Sequence, residues 1–350
     1  MKTVSRQSPW HELSMGGVDE ADVLMPDSTA SPYQSTSTST RVKYLPKKNT
    51  PLPYKERHFP FDKRTAARDR IWPNGARMAL VHYCALEQRD WNYSRSGTAA
   101  GRTLAAGKEP LDVRTSIAYG GEIALRRLRN IWKELGLTIT QLVTASYAED
   151  FPEIVKELAD LGHEINNHTY SYSIATVDKT YDQQREEIRD CTQILQRLTG
   201  QKPVGWLSQG AGCDENTVAA LADEGYLYHC DLQDDELPYF IDVNGKTIVE
   251  IPYRMTGNFN DNRVFGATTM KPKYALEYLK ETFDNLCNDS ARYPKHTIFG
   301  THPHVTGRGD NARVYAEFLQ YVKRRDDVWF ATYKDVAEWW MKQFNHGYDA

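Results

Sequence analysis

The chain has 350 residues, of which 40% are hydrophobic, 26% charged and 11% aromatic, and it carries a net charge of −4. That is enough apolar material for one large core with no need of disulfides or a structural metal. The acidic balance argues against a general nucleic-acid binder, and no apolar run approaches the ~18 residues of a membrane span.

The first residues, MKTVSRQSPWHELSMGG, contain no apolar stretch of the secretory kind. Residues 28–40 read STASPYQSTSTST, and Pro and Lys interleave in the segment that follows. Such a composition buries too little apolar surface to offset its ordering entropy. A disordered tail is therefore expected over 1–50, an extended arm over 51–75 and the folded domain over 76–345. The five cysteines (Cys84, Cys191, Cys213, Cys230, Cys287) are odd in number and form no CxxC pair. They read as reduced thiols in a cytoplasmic protein.

From residue 76 onward, apolar runs of strand length alternate with helical stretches. Strands are predicted at 77–86, 138–144, 164–168, 204–207, 226–231, 247–252, 296–300 and 328–331. The helix between the first two carries Leu125, Leu128, Ile131, Trp132 and Leu135 on one face. Asp214 reads as the N-cap of a later helix that Gly225 ends. Repeated β-then-α order with buried strands predicts a parallel sheet covered by helices. About seven units over this length suit a closed or nearly closed barrel, whose chemistry lies at the C-terminal ends of the strands. No GxGxxG follows a strand, which weighs against an open dinucleotide-binding sheet.

Four polar clusters fall where strands should end. Glu87 follows the first strand directly, where a carboxylate is costly to bury unless it has work to do. His168 ends the third, beside Asn166, Asn167 and Thr169. Asp231, Asp234, Asp235 and Glu236 follow the fifth, and a bare acidic run is by default a solvated turn. His302 and His304 follow HTIFG, two apart, with Arg308 beyond; of the pair, His302 is taken as inward-facing.

Taken together, these features resemble the polysaccharide deacetylase superfamily. The likeness rests on the strand ending at Glu87, on Gly162-His163-Glu164-Ile165 followed by His168, and on TGQKPVGW at 199–206. It continues through DDELPYF at 234–240, THPHVTGR at 301–308 and VWFATYKDVAEWW near the C-terminus. The resemblance covers residues 65–345 and implies a distorted (β/α)7 barrel. Within the superfamily the chain is most similar to the cytosolic branch with metal-independent allantoinase and cyclic-imide hydrolases. The metal-dependent sugar deacetylases hold a divalent ion with an Asp-His-His set whose histidines are four residues apart. Here the position four after His168 is Tyr172, and Glu87 stands alone where those enzymes carry an Asp-Asp pair. This chain also departs from the closer branch. Glu122 occupies an arginine position after Tyr119-Gly120, and Thr169-Tyr170 replaces Gly-Trp.

The resemblance implies a hydrolase of a non-peptide C–N bond in a small-molecule amide, cyclic amide or ureide, with no metal cofactor. Glu87, His168 and His302 would be catalytic: Glu87 or His168 the general base, His302 the proton donor to the leaving nitrogen. Trp206, Asp235, Tyr239, Tyr172 and Arg308 would line the pocket, Asp235 orienting a histidine and either the Trp206 indole or backbone N–H groups after a strand donating to the oxyanion. Two alternatives stand beside this. One is a metal-dependent N-deacetylase of an acetylated amine or amino sugar, with zinc on Glu87, His168 and His302. The other is a non-catalytic barrel that binds a small ligand. The expected partner is a small-molecule substrate rather than nucleic acid or membrane, and assembly into a homo-oligomer is compatible with the reading.

Overall fold

The computed structural model describes residues 71–87, 111, 115, 118–172, 175–243, 245–253, 259–266 and 271–344. The expected tail and most of the arm lie outside them. The arm's last residues are packed: Trp72 is buried and its indole N–H donates to the Lys295 carbonyl at 3.0 Å.

Among the described residues, nine strands form one sheet: β1 Met78–Leu86, β2 Thr140–Val143, β3 Glu164–Asn167, β4 Gly205–Trp206, β5 Tyr228–His229, β6 Tyr239–Val243, β7 Lys246–Glu250, β8 Lys295–Thr301 and β9 Val328–Ala331. The sheet runs β6-β7-β5-β4-β3-β2-β1-β8, and β9 pairs with the start of β1. Every pairing is parallel except the β6–β7 hairpin. All eight predicted strands are present, although β4 and β5 shorten to two residues each. The prediction omitted β6, which begins inside the acidic DDELPYF stretch. The sheet curls into a half-barrel rather than a closed ring. Near the gap, Asn260 makes an isolated bridge to Gly300, and His296 bonds the carbonyls of Glu236 and Pro252.

The helices are α1 Leu125–Leu135, α2 Ala145–Asp150, α3 Pro152–Asp160, α4 Tyr181–Thr199, α5 Glu215–Asp223, α6 Pro272–Ser290, α7 Pro303–Thr306, α8 Gly309–Val322 and α9 Tyr333–Phe344. Asp214 caps α5 as predicted, in a reciprocal box with Thr217. Leu125, Leu128 and Trp132 form the buried stripe of α1.

Alternation along the strands sorts the core into two faces. Met78, Leu80, Cys84 and Leu86 of β1 face outward into a cluster with α1, α6 and α8. Ala79, Val81, Tyr83 and Ala85 face inward, with Tyr228, Val249, Ile298 and residues of α9. Tyrosine rings fill this interior: Tyr333 stacks on Tyr83 and on Tyr228, with centroids 6.4 and 6.0 Å apart. Tyr228 needs Gly205 opposite it, because a Cβ there would come within 1.7 Å of the ring. Buried Glu164 ties α9 to the sheet by accepting from the Lys334 N–H and from Thr140 Oγ1. A carboxylate at that helix N-terminus also suits the macrodipole.

Candidate active site

The same alternation carries three polar residues into the barrel mouth. Glu87 continues the inward series 81, 83, 85. His168 follows Asn166, whose amide reaches inward to the Tyr228 hydroxyl, and His302 follows Ile298 and Gly300. All three are buried, at 8%, 2% and 7% exposure, and they converge. Glu87 Oε1 lies 3.5 Å from His302 Nε2 and 3.6 Å from His168 Nε2. One small substrate spans such distances, which weighs against a site built only to display these groups separately.

Tyr172 completes the centre. Its hydroxyl donates to Glu87 Oε1 at 2.6 Å and lies 3.1 Å from His168 Nε2. The chain reaches this position through Thr169, whose φ of +69° is unusual for a β-branched residue. Such a conformation costs about 1–3 kcal/mol and persists only where its surroundings impose it. Here the Thr169 carbonyl accepts from the Ala145 N–H, and Gln209 Nε2 donates to its hydroxyl. The turn at Thr169 leads the chain back so that Tyr172 meets His168 and Glu87.

The histidines are held differently. His168 Nδ1 faces the Leu207 carbonyl at 2.5 Å, so that nitrogen carries the hydrogen and Nε2 is turned to Tyr172 and Glu87. His302 Nδ1 pairs with Asp261 Oδ1 at 2.7 Å. The other Asp261 oxygen accepts from the His302 N–H and the Thr306 hydroxyl, both at 2.6 Å. Burial by itself would lower the His302 pKa, but the Asp261 and Glu87 carboxylates outweigh it and raise it to about 10. His302 is therefore an imidazolium at neutral pH, with its Nε2–H aimed at the site.

Asp261 is the residue that sequence reasoning missed. It lies in NFNDNR, far from any predicted strand end, and no motif marks it. The structure gives it the histidine-orienting role expected of Asp235. Asp235 instead accepts the backbone N–H groups of Glu236 and Leu237, which fixes the turn into β6. Two other expected pocket residues face the wrong way. Trp206 and Tyr239 lie on the helix side of the sheet, in one cluster with Ile188 and Leu221. The Trp206 indole N–H is engaged by Ser208 Oγ at 2.8 Å, and the Tyr239 hydroxyl donates to Asp234. Neither side chain serves the mouth. Arg308 is exposed, bonded to the His304 carbonyl and lying 5.9 Å over the Tyr119 ring. Glu122, at the altered arginine position, is also exposed.

In the position where the resemblance implies a second metal-ligating histidine, the Tyr172 hydroxyl bonds both Glu87 and His168. Among the described residues, the metal-capable side chains that come within 4.8 Å of one another are Cys213, His229 and Asp231.

A curled parallel sheet with acid–base side chains at its strand ends marks a hydrolase built on a (β/α) barrel. Residues 120–229 match the family model described as polysaccharide deacetylase. It is 27% identical over 254 residues to a peptidoglycan deacetylase of Helicobacter pylori, covering 64% of this chain and 86% of that one. Among solved structures it is similar to a Puue allantoinase, with a TM-score of 0.70 and 28% identity, covering 80% of this chain and 95% of the other. It is equally similar to a probable polysaccharide deacetylase of Pseudomonas aeruginosa PAO1: TM-score 0.70, 29% identity, 80% and 96% covered. These relatives are named for hydrolysis of C–N bonds other than peptide bonds. No helix among the described residues is long and apolar enough to cross a membrane.

Proposed function

We propose that the chain hydrolyses a non-peptide C–N bond in a small-molecule amide, cyclic amide or ureide, using side chains rather than a metal at the Glu87 centre. The observation that carries this reading is Tyr172, whose hydroxyl sits on Glu87 and His168 where metal-dependent relatives carry an imidazole. The likeness to an allantoinase structure supports a cyclic ureide or imide as the substrate type.

Glu87 takes a proton from water as the water oxygen attacks the carbonyl carbon. His168, fixed by the Leu207 carbonyl, and Tyr172 align that carboxylate. The tetrahedral intermediate collapses as the C–N bond breaks, and the leaving nitrogen takes the Nε2 proton of His302. Asp261 stabilises the imidazolium and fixes its orientation, as a carboxylate does for a catalytic histidine. The proton on Glu87 then resets His302 across 3.5 Å. Each acid–base partner supplies roughly 10²–10⁴-fold. Arg308 at the rim is our candidate for the polar end of the substrate. The five cysteines belong to no disulfide, which supports a cytoplasmic setting.

A metal-dependent N-deacetylase, with the ion on Glu87, His168 and His302, is the second reading, favoured by the H. pylori relative's name as a deacetylase. A panel of cyclic imides, ureides and N-acetylated amines separates the two. Turnover of an imide or ureide, abolished by His302→Ala with the circular dichroism unchanged, is expected. Activity confined to acetylated amines, or surviving His302→Ala, would sink the preferred reading.

A further inference from the structure

The second buried polar cluster belongs to the other side of the sheet. On β5, Tyr228 and Cys230 face the barrel interior, so His229 between them faces out. On β7, Val249 and Ile251 face in, so Glu250 faces out. His229, Glu250 and Asp231 are all buried, and the mechanism above uses none of them. The loop after β4 brings Cys213, half-buried, against His229.

The contacts in this cluster suit a metal ligand set. Glu250 Oε2 takes His229 Nδ1 at 2.6 Å, while the Leu232 N–H holds its other oxygen at 2.9 Å. A carboxylate on the far nitrogen is how proteins orient a metal-ligating imidazole and raise its basicity. The Ser208 N–H donates to Asp231 Oδ1 at 2.7 Å, which leaves Oδ2 beside His229 Nε2 at 3.0 Å. Thus one imidazole nitrogen, one carboxylate oxygen and one thiol sulfur lie within 4.8 Å of one another. Tetrahedral zinc bonds of about 2.0–2.3 Å place donors roughly 3.3–3.8 Å apart, so the His229–Asp231 pair, at 3.0 Å, would open slightly to admit the ion. Charge points the same way. Among the described residues, two buried carboxylates share a single cationic partner, His229, and buried anions of this kind call for a compensating cation.

We propose that Cys213, His229 and Asp231 bind one zinc-type divalent ion, with Glu250 as the positioning carboxylate and the fourth position open to water. Sulfur with imidazole and carboxylate selects zinc over magnesium or calcium. The ion pins the loop between β4 and α5 to β5. That loop begins at Leu207, whose carbonyl orients His168, but the ion lies on the other face of the sheet and supplies no group to the reaction.

Cobalt(II) substitution of the chelator-stripped, reduced full-length protein tests this. One equivalent is expected to bind with a near-ultraviolet sulfur-to-cobalt band and the intense visible bands of tetrahedral geometry, and zinc is expected to displace it. Cys213→Ser should remove the sulfur band. Glu250→Gln should keep it but weaken binding about 10–100-fold, and His302→Ala should leave it unchanged. Wild-type protein with no sulfur band would overturn the proposal, whatever the variants do. So would a band that survives Cys213→Ser in folded protein, or one lost with His302→Ala.

Discussion

Glu87→Gln is expected to lower kcat by roughly 10²–10⁴-fold, the usual contribution of a general base, with little change in folding. Glutamine keeps the shape and an oxygen to accept from Tyr172, so the contact observed at 2.6 Å persists. What it loses is the capacity to take a proton and the negative charge facing His302. That charge is one of the two that hold the imidazolium, so the variant should also lose its proton donor at lower pH than wild type. Steady-state turnover and near-ultraviolet circular dichroism read these effects separately. A loss smaller than tenfold in folded protein would assign the base to another group.

Asp261→Asn is the sharper test, because its effect has a direction in pH. His302 titrates near pH 10 in the folded protein, since Asp261 and Glu87 outweigh the opposing effect of burial. The donor form therefore survives through neutral pH, and the basic limb of kcat/KM should lie near pH 10. Removing the Asp261 charge should move that limb down toward the ordinary histidine value of about 6.5, with activity at pH 8 falling roughly 10²–10³-fold. The sign for stability is the same. A group whose folded pKa is raised contributes fully below its unfolded value, and that contribution is lost as pH rises through about 10. Wild-type stability should thus decline over this alkaline window, and the variant's dependence there should be flatter. An unshifted limb in the variant would remove Asp261 from the mechanism.

Most of the architecture was legible because period and burial coincide in this chain. Runs such as RMALVHYCAL are buried on both faces, as a helix-covered parallel strand requires. The strand that escaped, β6, belongs to the antiparallel hairpin. Its sequence signal was the Asn244-Gly245 pair before KTIVE, a strong short-range hairpin mark. Glu87, His168 and His302 were legible as candidates because each directly follows a strand. Parity then separates inward from outward side chains. Trp206 and Tyr239 lie near strand ends, but on the outward register, a distinction that two-residue strands such as β4 make hard to read from sequence. Asp261 and the Cys213–His229–Glu250 contacts are long-range. They join residues 16 to 41 positions apart, and no local pattern encodes which of several acids meets which histidine.

The central claim is that side chains around Tyr172, not a metal held by Glu87 and His168, perform the hydrolysis. Turnover of the panel by protein stripped with chelator, with metal measured by elemental analysis in the same sample, tests it most directly. Hydrolysis of a cyclic imide or ureide at undiminished kcat in metal-free protein is the predicted result, provided circular dichroism shows the fold intact. Activity lost on stripping and restored by zinc equally in wild type and Cys213→Ser would contradict it, since the working ion would then reside at the Glu87 centre.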